Sequence, residues 1–576
     1  MEKRLKGIAA SDGVAIGKAY VFEKIKIDIN EEKISSDNIE IEKANITDAI
    51  ESYRKDLENR ITTTDAERQV ADAHIELISD PALTDMTFEK ISSELMNAEL
   101  ALHTSIEEMA MVFEMMDDEY LSERAADYRD IGEHLLYKIK GIVPKTLSSL
   151  DDDYIIISNE LTPTDTSTMD KERVIGIATN FGGKTSHSSI IAQTLGIPAV
   201  VGMKTVTDEI KNGELIILDA MEGLIIKNPD EETIKKYEEK FETIKADKEI
   251  SEQFREKEPI TKDGKKLDVV CNIGGIEDLK IGLEQGAKGV GLFRTEFLYM
   301  EGKDFPEEER QFEVYKQAAE LNGENILIIR TLDIGGDKGL DYFEFPQEEN
   351  PFLGWRALRI QFDKVDLLRT QLRAILRASA YGNVKILLPM IISVNEIKTI
   401  LKHLEEYKEE LRLENIDFDE NIEVGIMVET PASVFMAEEL IEYADFFSIG
   451  TNDLTQYILA VDRGNEKISH LYDYFNPAVL RAIRQVIEAS HKHGKWTGMC
   501  GSMASDALAT YLLLGLGLDE FSAVGTNIPK IKSILINSDS NEAEEFAQEV
   551  LSMEDVGEIR KVLKDKFEDI MNEIRG

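Results

Sequence analysis

From residue 262 onward the chain repeats one pattern eight times: a short apolar run, a loop, then an amphipathic stretch. The runs are 267–271, 289–293, 326–330, 385–390, 424–428, 446–449, 496–500 and 520–523. Each has strand length, and most read as buried on both faces. Eight strands alternating with helices predict a (β/α)8 barrel. A doubly wound open sheet is the alternative, and it leaves the eightfold count unexplained.

Ahead of this lies an α/β region with a helical interruption. Residues 7–22 are rich in small and β-branched side chains, and strand-like segments return at YIIIS, VIGIAT, AVVG, LIILDA and GLIIK between 154 and 227. Between them, 40–141 is nearly free of Gly and Pro and spaces its apolar residues as helices do. Turn signals stand at Ser79-Asp80-Pro81 and at Asp117-Asp118-Glu119. The expected domains are residues 1–22 with 146–228 (α/β), 23–145 (helical insertion), 229–260 (a charged, solvated helical linker) and 261–576 (barrel). A length of 576 residues suits three or four domains, and 42% hydrophobic content supplies their cores.

The formal charge of −46 disfavours nucleic acid, since no basic stripe exists to replace phosphate counterions. It also means that an anionic substrate needs a local cluster of cations, and that a basic protein partner is attracted. Two distant cysteines, Cys271 and Cys500, make no disulfide framework. Asp12 interrupts any signal-peptide core, and the leucine-rich run at 512–518 is far too short for a membrane span. A cytoplasmic protein with no membrane insertion is expected.

Polar residues gather where the barrel strands end. Arg294-Thr295-Glu296 follows the second run, Arg330-Thr331-Leu332-Asp333 closes the third, and Glu429 closes the fifth. Thr451-Asn452-Asp453 follows the sixth, and Cys500 closes the seventh. Barrel active sites occupy that rim. Arg294, Arg330 and Arg463, with Arg356 as a candidate fourth, suit a bidentate grip on phosphate or carboxylate. Glu429 and Asp453 offer the hard oxygens Mg²⁺ prefers. Together they describe a site for a phosphorylated, carboxylated metabolite with Mg²⁺. Cys500 reads two ways, as a buried small hydrophobe or as a rim proton donor; Cys271, without charged neighbours, reads as the former.

A second constellation is Gly182-Gly183-Lys184-Thr185-Ser186-His187-Ser188-Ser189-Ile190. Two glycines leave a strand and a capped helix begins, placing His187 in its first turn. Free N–H groups and the helix dipole there favour an anion such as a phosphoryl group on imidazole, with Lys184 close by. Of the other histidines, His74, His103, His134 and His403 lie on helix patterns, and His470, His491 and His493 near helix ends; these read as packed or solvated.

The segment GGKTSHSSI resembles the phosphohistidine motif of phosphoenolpyruvate-utilising enzymes, and nearly the whole chain is similar to the Enzyme I branch of sugar phosphotransferase systems. The strings GIAASDGVAIGKA, DDEYLSERAADYRDIG, GVGLFRTEFLYM, RTLDIGGDK, NPFLGWRALR, IGTNDLTQY, AVDRGN, WTGMCG and GLDEFSAV carry the likeness. It implies that His187 accepts the phosphoryl group on Nε2. Arg294, Arg330, Asn452, Asp453 and Arg463 would surround phosphoenolpyruvate, with Lys338 and Arg356 nearby. Glu429 and Asp453 would bind Mg²⁺, and Cys500 would protonate the enolate to pyruvate. The helical insertion would bind the carrier protein HPr, and the barrel would form a homodimer. His187 would then visit both places, with the linker as a swivel. Three positions depart from the family pattern: Lys184 replaces Arg, and Ser502 and Ser505 replace Glu and Gly. Dikinases and synthases that share the histidine need a large ATP-binding domain, and the 186 residues ahead of His187 hold no P-loop. A sensor that binds phosphoenolpyruvate without turnover is the reading from another class.

Overall fold

The computed structural model describes residues 2–576 apart from 12, 24–26, 59–73, 76, 115–118, 143–146, 149, 163–164, 167–168, 184–186, 301, 303, 337–338, 341, 344 and 466. At some helical positions, His187 among them, it describes the backbone alone. The chain divides into two compact units, Met1–Lys245 and Ala246–Gly576.

The first unit is built on an eight-stranded sheet. Its strands are β1 (Lys3–Lys6), β2 (Ile8–Ser11), β3 (Val14–Phe22), β4 (Tyr154–Ser158), β5 (Val174–Thr179), β6 (Ala199–Val201), β7 (Leu215–Asp219) and β8 (Leu224–Lys227). They lie in the order β1-β8-β7-β3-β4-β5-β6-β2, with β3, β4, β5 and β6 parallel and the rest antiparallel. The run of isoleucines in β4 follows from this. Ile155 and Ile157 pack with Ala15, Ala19 and Leu218 on one face, while Ile156 packs with Phe22 and Ile177 on the other. A central strand covered on both sides has no polar alternation to show. The edge strand β1 lies in the charged start MEKRLK, ahead of the Gly7 at which the sequence pattern opens the sheet.

Between the adjacent parallel strands β3 and β4 run helices Ile39–Glu58, Pro81–Glu94, Ala98–Glu114 and Glu119–Lys140. Their apolar stripes meet in a separate core that includes Ile46, Tyr53, Leu83, Ile91, Leu102 and Leu135. The expected turn at residue 80 is a helix start: Asp80 accepts the N–H of Ala82, and Pro81 occupies the first helical position. The change of direction expected at 117–118 lies outside the described residues.

The charged stretch is one helix, Glu231–Glu252. Its few apolar residues, Ile234, Tyr237 and Ile244, lie against Val14, Ile217 and Ile226 of the sheet. Lys240 reaches buried Asp219 at 2.6 Å. Within the second unit, Asp247 is gripped by Arg575 at 2.7 and 2.8 Å.

The second unit is a closed barrel of eight parallel strands in sequence order. They are β9 (Asp268–Ile273), β10 (Gly289–Arg294), β11 (Ile326–Arg330), β12 (Asn383–Leu388), β13 (Val424–Val428), β14 (Phe447–Ile449), β15 (Thr497–Met499) and β16 (Glu520–Ala523). Each falls on one of the eight runs read from the sequence, which excludes the open sheet. Alternate residues divide between two cores. Leu292, Ile328, Leu387, Met427, Phe446 and Cys500 fill the interior, and their neighbours join the larger layer beneath the helices. Among the described residues no helix is long and apolar enough to cross a membrane.

Candidate active site

The inward positions that fill the barrel become polar as the strands end. Interior residues Ile328, Met427 and Phe446 are followed two residues on by Arg330, Glu429 and Ser448. A short β-strand therefore carries an apolar base and a chemical tip on one face.

Arg330 is buried in a web of acids. Its Nη2 lies 2.6 Å from Oε1 of Glu296, and its Nη1 lies 3.1 Å from Oδ2 of Asp333. Its Nε is buried with no hydrogen-bond partner among the described residues, which leaves one donor for a further anion. Arg356, fully buried, spans Asp333 at 3.0 Å and Asp453 at 3.1 Å. Both guanidiniums stay charged, because the surrounding carboxylates outweigh the cost of burial.

Arg294 differs. Burial pulls its pKa down, and neighbouring Arg330 adds to that while Glu296 opposes it. Among the described residues no carboxylate lies within ion-pair distance of its guanidinium. A half-buried cation without a counter-ion is costly unless an anion arrives.

Glu429 ends the fifth strand and is held by the backbone. Its Oε1 accepts the N–H of Met390 at 2.7 Å, an N–H aimed by the left-handed backbone of Met390 (φ 58°). Burial, then Asp453, then Asp333 push its carboxyl up to about 8. Gly450 makes room for it: a Cβ there would stand 2.9 Å from Oε2 of Glu429. Asp453 occupies the first turn of helix Thr451–Leu459, and its Oδ1 is 3.4 Å from Nη1 of Arg463. Arg463 also faces the ring of Phe352, as does Arg356, at 5.9 and 6.0 Å. Crowded carboxylates suit a divalent cation. The described residues supply these two as ligands rather than a cage of three or more His, Cys, Asp or Glu, so substrate oxygens would complete the set.

Cys500 is buried at the rim. Burial pushes its thiol up to about 11, although the hydroxyl of Ser448 and the nearby arginines pull the other way. Held above its ordinary value, the thiol keeps its proton at neutral pH and has one to give. Cys271 is higher still, about 12, again through burial, and it packs beneath the helices as expected. Asn452 lies on the same rim, where its Oδ1 accepts the N–H of Ser502 at 2.9 Å. Ser505 accepts the N–H of Val524 at 3.0 Å and so ties the turn to the last strand.

The other motif lies in the first unit. Helix His187–Leu195 begins at His187, as the glycine-led motif predicts. Ser189 donates to the carbonyl of Gly183 at 2.6 Å, and Ser188 donates to that of Leu161, tying the helix start to the loops that follow β5 and β4. Lys184 and Lys338 lie outside the described residues.

The sequence pattern brings Arg294, Arg330, Glu429, Asn452, Asp453, Arg463 and Cys500 to one rim, with Arg356 behind it. It does not give Glu296 and Asp333 their roles as partners of Arg330 and Arg356, nor Ser448 its bond to Cys500. Glu296 and Asp333 stand two and three residues after rim arginines, and that spacing was the available signal.

Three family models match the chain: PEP-utilising enzyme, N-terminal, over residues 6–124; PEP-utilising enzyme, mobile domain, over 150–223; and PEP-utilising enzyme, PEP-binding domain, over 248–540. The phosphoenolpyruvate-protein phosphotransferase of Staphylococcus aureus is 46% identical over 552 residues, covering 95% of this chain and 96% of that one. That of Staphylococcus carnosus is 44% identical over 555 residues, covering 95% and 96%. That of Priestia megaterium is 44% identical over 572 residues, covering 98% and 100%. With matches spanning both units and a barrel rim of arginines, carboxylates and a thiol, the chain belongs to the phosphoenolpyruvate-protein phosphotransferases, the Enzyme I branch of the PEP-utilising enzymes.

Proposed function

We propose that this protein transfers the phosphoryl group of phosphoenolpyruvate to its own His187 and then to a histidine of the carrier HPr, releasing pyruvate, as the first step of sugar uptake by a phosphotransferase system. The observation that carries this reading is the half-buried Arg294 guanidinium, without a carboxylate at ion-pair distance among the described residues, set near Arg330 and the thiol of Cys500.

Arg294, the free Nε of Arg330, Asn452 and Arg463 hold the phosphate and carboxylate of the substrate, while Arg356 fixes Asp453 from behind. Glu429 and Asp453 hold Mg²⁺, which when bound neutralises charge on the transferring group. Imidazole nitrogen of His187 attacks phosphorus; the P–O bond to the enol breaks, and its electron pair leaves with the enolate. Cys500 then gives its proton to the methylene carbon. Lys184 and Lys338 add positive charge at the two ends of the transfer. His187 reaches the rim and the carrier in turn by a swivel of its unit about the charged helix, and water excluded at the rim cannot hydrolyse the phosphoryl group. The helical insertion receives HPr, whose approach the net charge of −46 favours if HPr is basic on its docking face. The protein acts in the cytoplasm as a homodimer joined through the barrel.

The test is labelling with ³²P-phosphoenolpyruvate and Mg²⁺, without ATP or carrier, beside a His187→Ala control. Acid-labile, base-stable label that the control lacks is the expected result. Intact protein that takes no label would overturn the reading in favour of a phosphoenolpyruvate sensor.

A further inference from the structure

The sulfur of Cys500 is held by something the transfer chemistry has not used. Ser448 lies on the neighbouring strand β14, and its Oγ donates to Sγ at 3.2 Å, with both residues buried. The backbone of Cys500 is fixed as well. Its N–H donates to the carbonyl of Ile449 at 3.1 Å, and its carbonyl accepts from Nδ2 of Asn272 at 3.2 Å. Asn272 is itself fixed by the hydroxyl of Ser522 at 2.8 Å. Beneath this pair, the rings of Phe446 and Trp496 stack with centroids 4.4 Å apart and planes 3° from parallel. Those rings stand two residues before Ser448 and four before Cys500, on the same two strands, so the floor under the thiol is rigid.

We propose that Ser448 is a positioning residue for the protonation that makes pyruvate: its hydroxyl orients the Cys500 thiol and stabilises the thiolate left when the proton has gone. This inference rests on the phosphotransferase reading and deepens it. A sulfur that accepts a hydrogen bond from Ser448 has its own S–H turned away from that oxygen, and the carbonyl of Ile449, 3.9 Å off, competes weakly for it. The proton is therefore available to the rim. In the step itself the S–H bond breaks and a C–H bond forms at the methylene carbon, using the π pair of the enolate. The S–H electron pair stays on sulfur. The O–H···S contact thereby becomes charge-assisted and strengthens as the proton leaves. An interaction that gains strength along the step raises kcat rather than substrate affinity.

The experiment is a double-mutant cycle on the full-length protein, comparing wild type, Ser448→Ala, Cys500→Ala and the double variant. Single-turnover labelling by ³²P-phosphoenolpyruvate and formation of pyruvate are followed separately. Ser448→Ala is expected to slow pyruvate formation about 10- to 100-fold, with unchanged labelling of the protein and unchanged KM. In the Cys500→Ala background the same change is expected to add nothing. Undiminished pyruvate formation in Ser448→Ala, or an equal loss with and without Cys500, would overturn the proposal while leaving the phosphotransferase reading intact. Wild-type protein that takes no label would overturn both.

Discussion

One guanidinium nitrogen of Arg356, Nη2, donates to Oδ1 of Asp333 at 3.0 Å and to Oδ2 of Asp453 at 3.1 Å, and the whole side chain is inaccessible to solvent. Three segments far apart in the chain thus meet on a single charge. Neither carboxylate has bulk water to fall back on.

Replacing Arg356 by Met should therefore cost more than a lost contact. Two buried carboxylates would lose the cation they share, leaving Asp333 to Arg330 and Asp453 to Arg463, a change worth roughly 3–5 kcal/mol of destabilisation. Urea denaturation of the barrel transition measures it. A loss below about 1 kcal/mol would show that the acids find other partners.

Arg294 predicts the opposite trade. Its guanidinium is half-buried without an ion-pair partner among the described residues, so the folded protein bears a desolvation that Glu296 offsets only in part. Arg294→Met should raise Tm slightly while abolishing retention of phosphoenolpyruvate. Equilibrium binding beside thermal melts tests both halves, and a fall in Tm would refute the first.

Glu520 lies at the other end of the barrel, on the first residue of the last strand, 1% exposed, with neither carboxylate oxygen hydrogen-bonded among the described residues. Burial, and then Asp268, push its pKa up to about 8 against a weaker pull from Lys385. The unfolded chain ionises near the ordinary value of 4.5, so the folded state binds the extra proton between these limits. Stability consequently falls as pH rises from about 4.5 to about 8 and is flat above, a swing of up to about 5 kcal/mol. Glu520→Gln should flatten that slope and be the more stable protein at pH 8. Urea melts at pH 5 and pH 8 decide it; parallel losses in both proteins would assign the slope elsewhere.

Gly450 tests the space around Glu429. Adding one methyl group would put a Cβ 2.9 Å from Oε2 and 3.0 Å from Cβ of Glu429. Gly450→Ala should displace that carboxylate and lower turnover by at least tenfold, with a modest stability loss of about 1–2 kcal/mol. Raised Mg²⁺ in the assay should restore part of the activity. Unchanged turnover would mean that the strand yields instead.

What the sequence made legible follows from how local each signal is. All eight barrel strands stood out because a parallel strand is apolar along its length and is followed by a loop and an amphipathic helix. The rim residues were legible for the same reason: Arg330 and Glu429 each sit where an apolar run stops. Partnerships between barrel segments were not legible. Arg356 and Asp453 are 97 residues apart, and Ser448 and Cys500 are 52 apart; the second pair meets because β14 and β15 lie side by side. Glu520 reads from the sequence as part of a strand and not as an ionisable group in the interior, since inward or outward facing is settled by register, which composition does not carry. The edge strand Lys3–Lys6 was hidden by its charges, which an edge tolerates.

The helical region of the first unit has a further consequence. It leaves the sheet at the end of β3 and returns at the start of β4. These strands are immediate neighbours, with Phe22 opposite Ser158 and Lys18 opposite Tyr154. Departure and return are thus about 13 Å apart, the span of four extended residues. In topological terms the helical region forms one very long connection, and the sheet closes its own ladder without it. Such a module can diverge or be exchanged like a cassette while its host keeps its core. The helices are free to evolve on their own clock, independently of the strands that carry the helix beginning at His187.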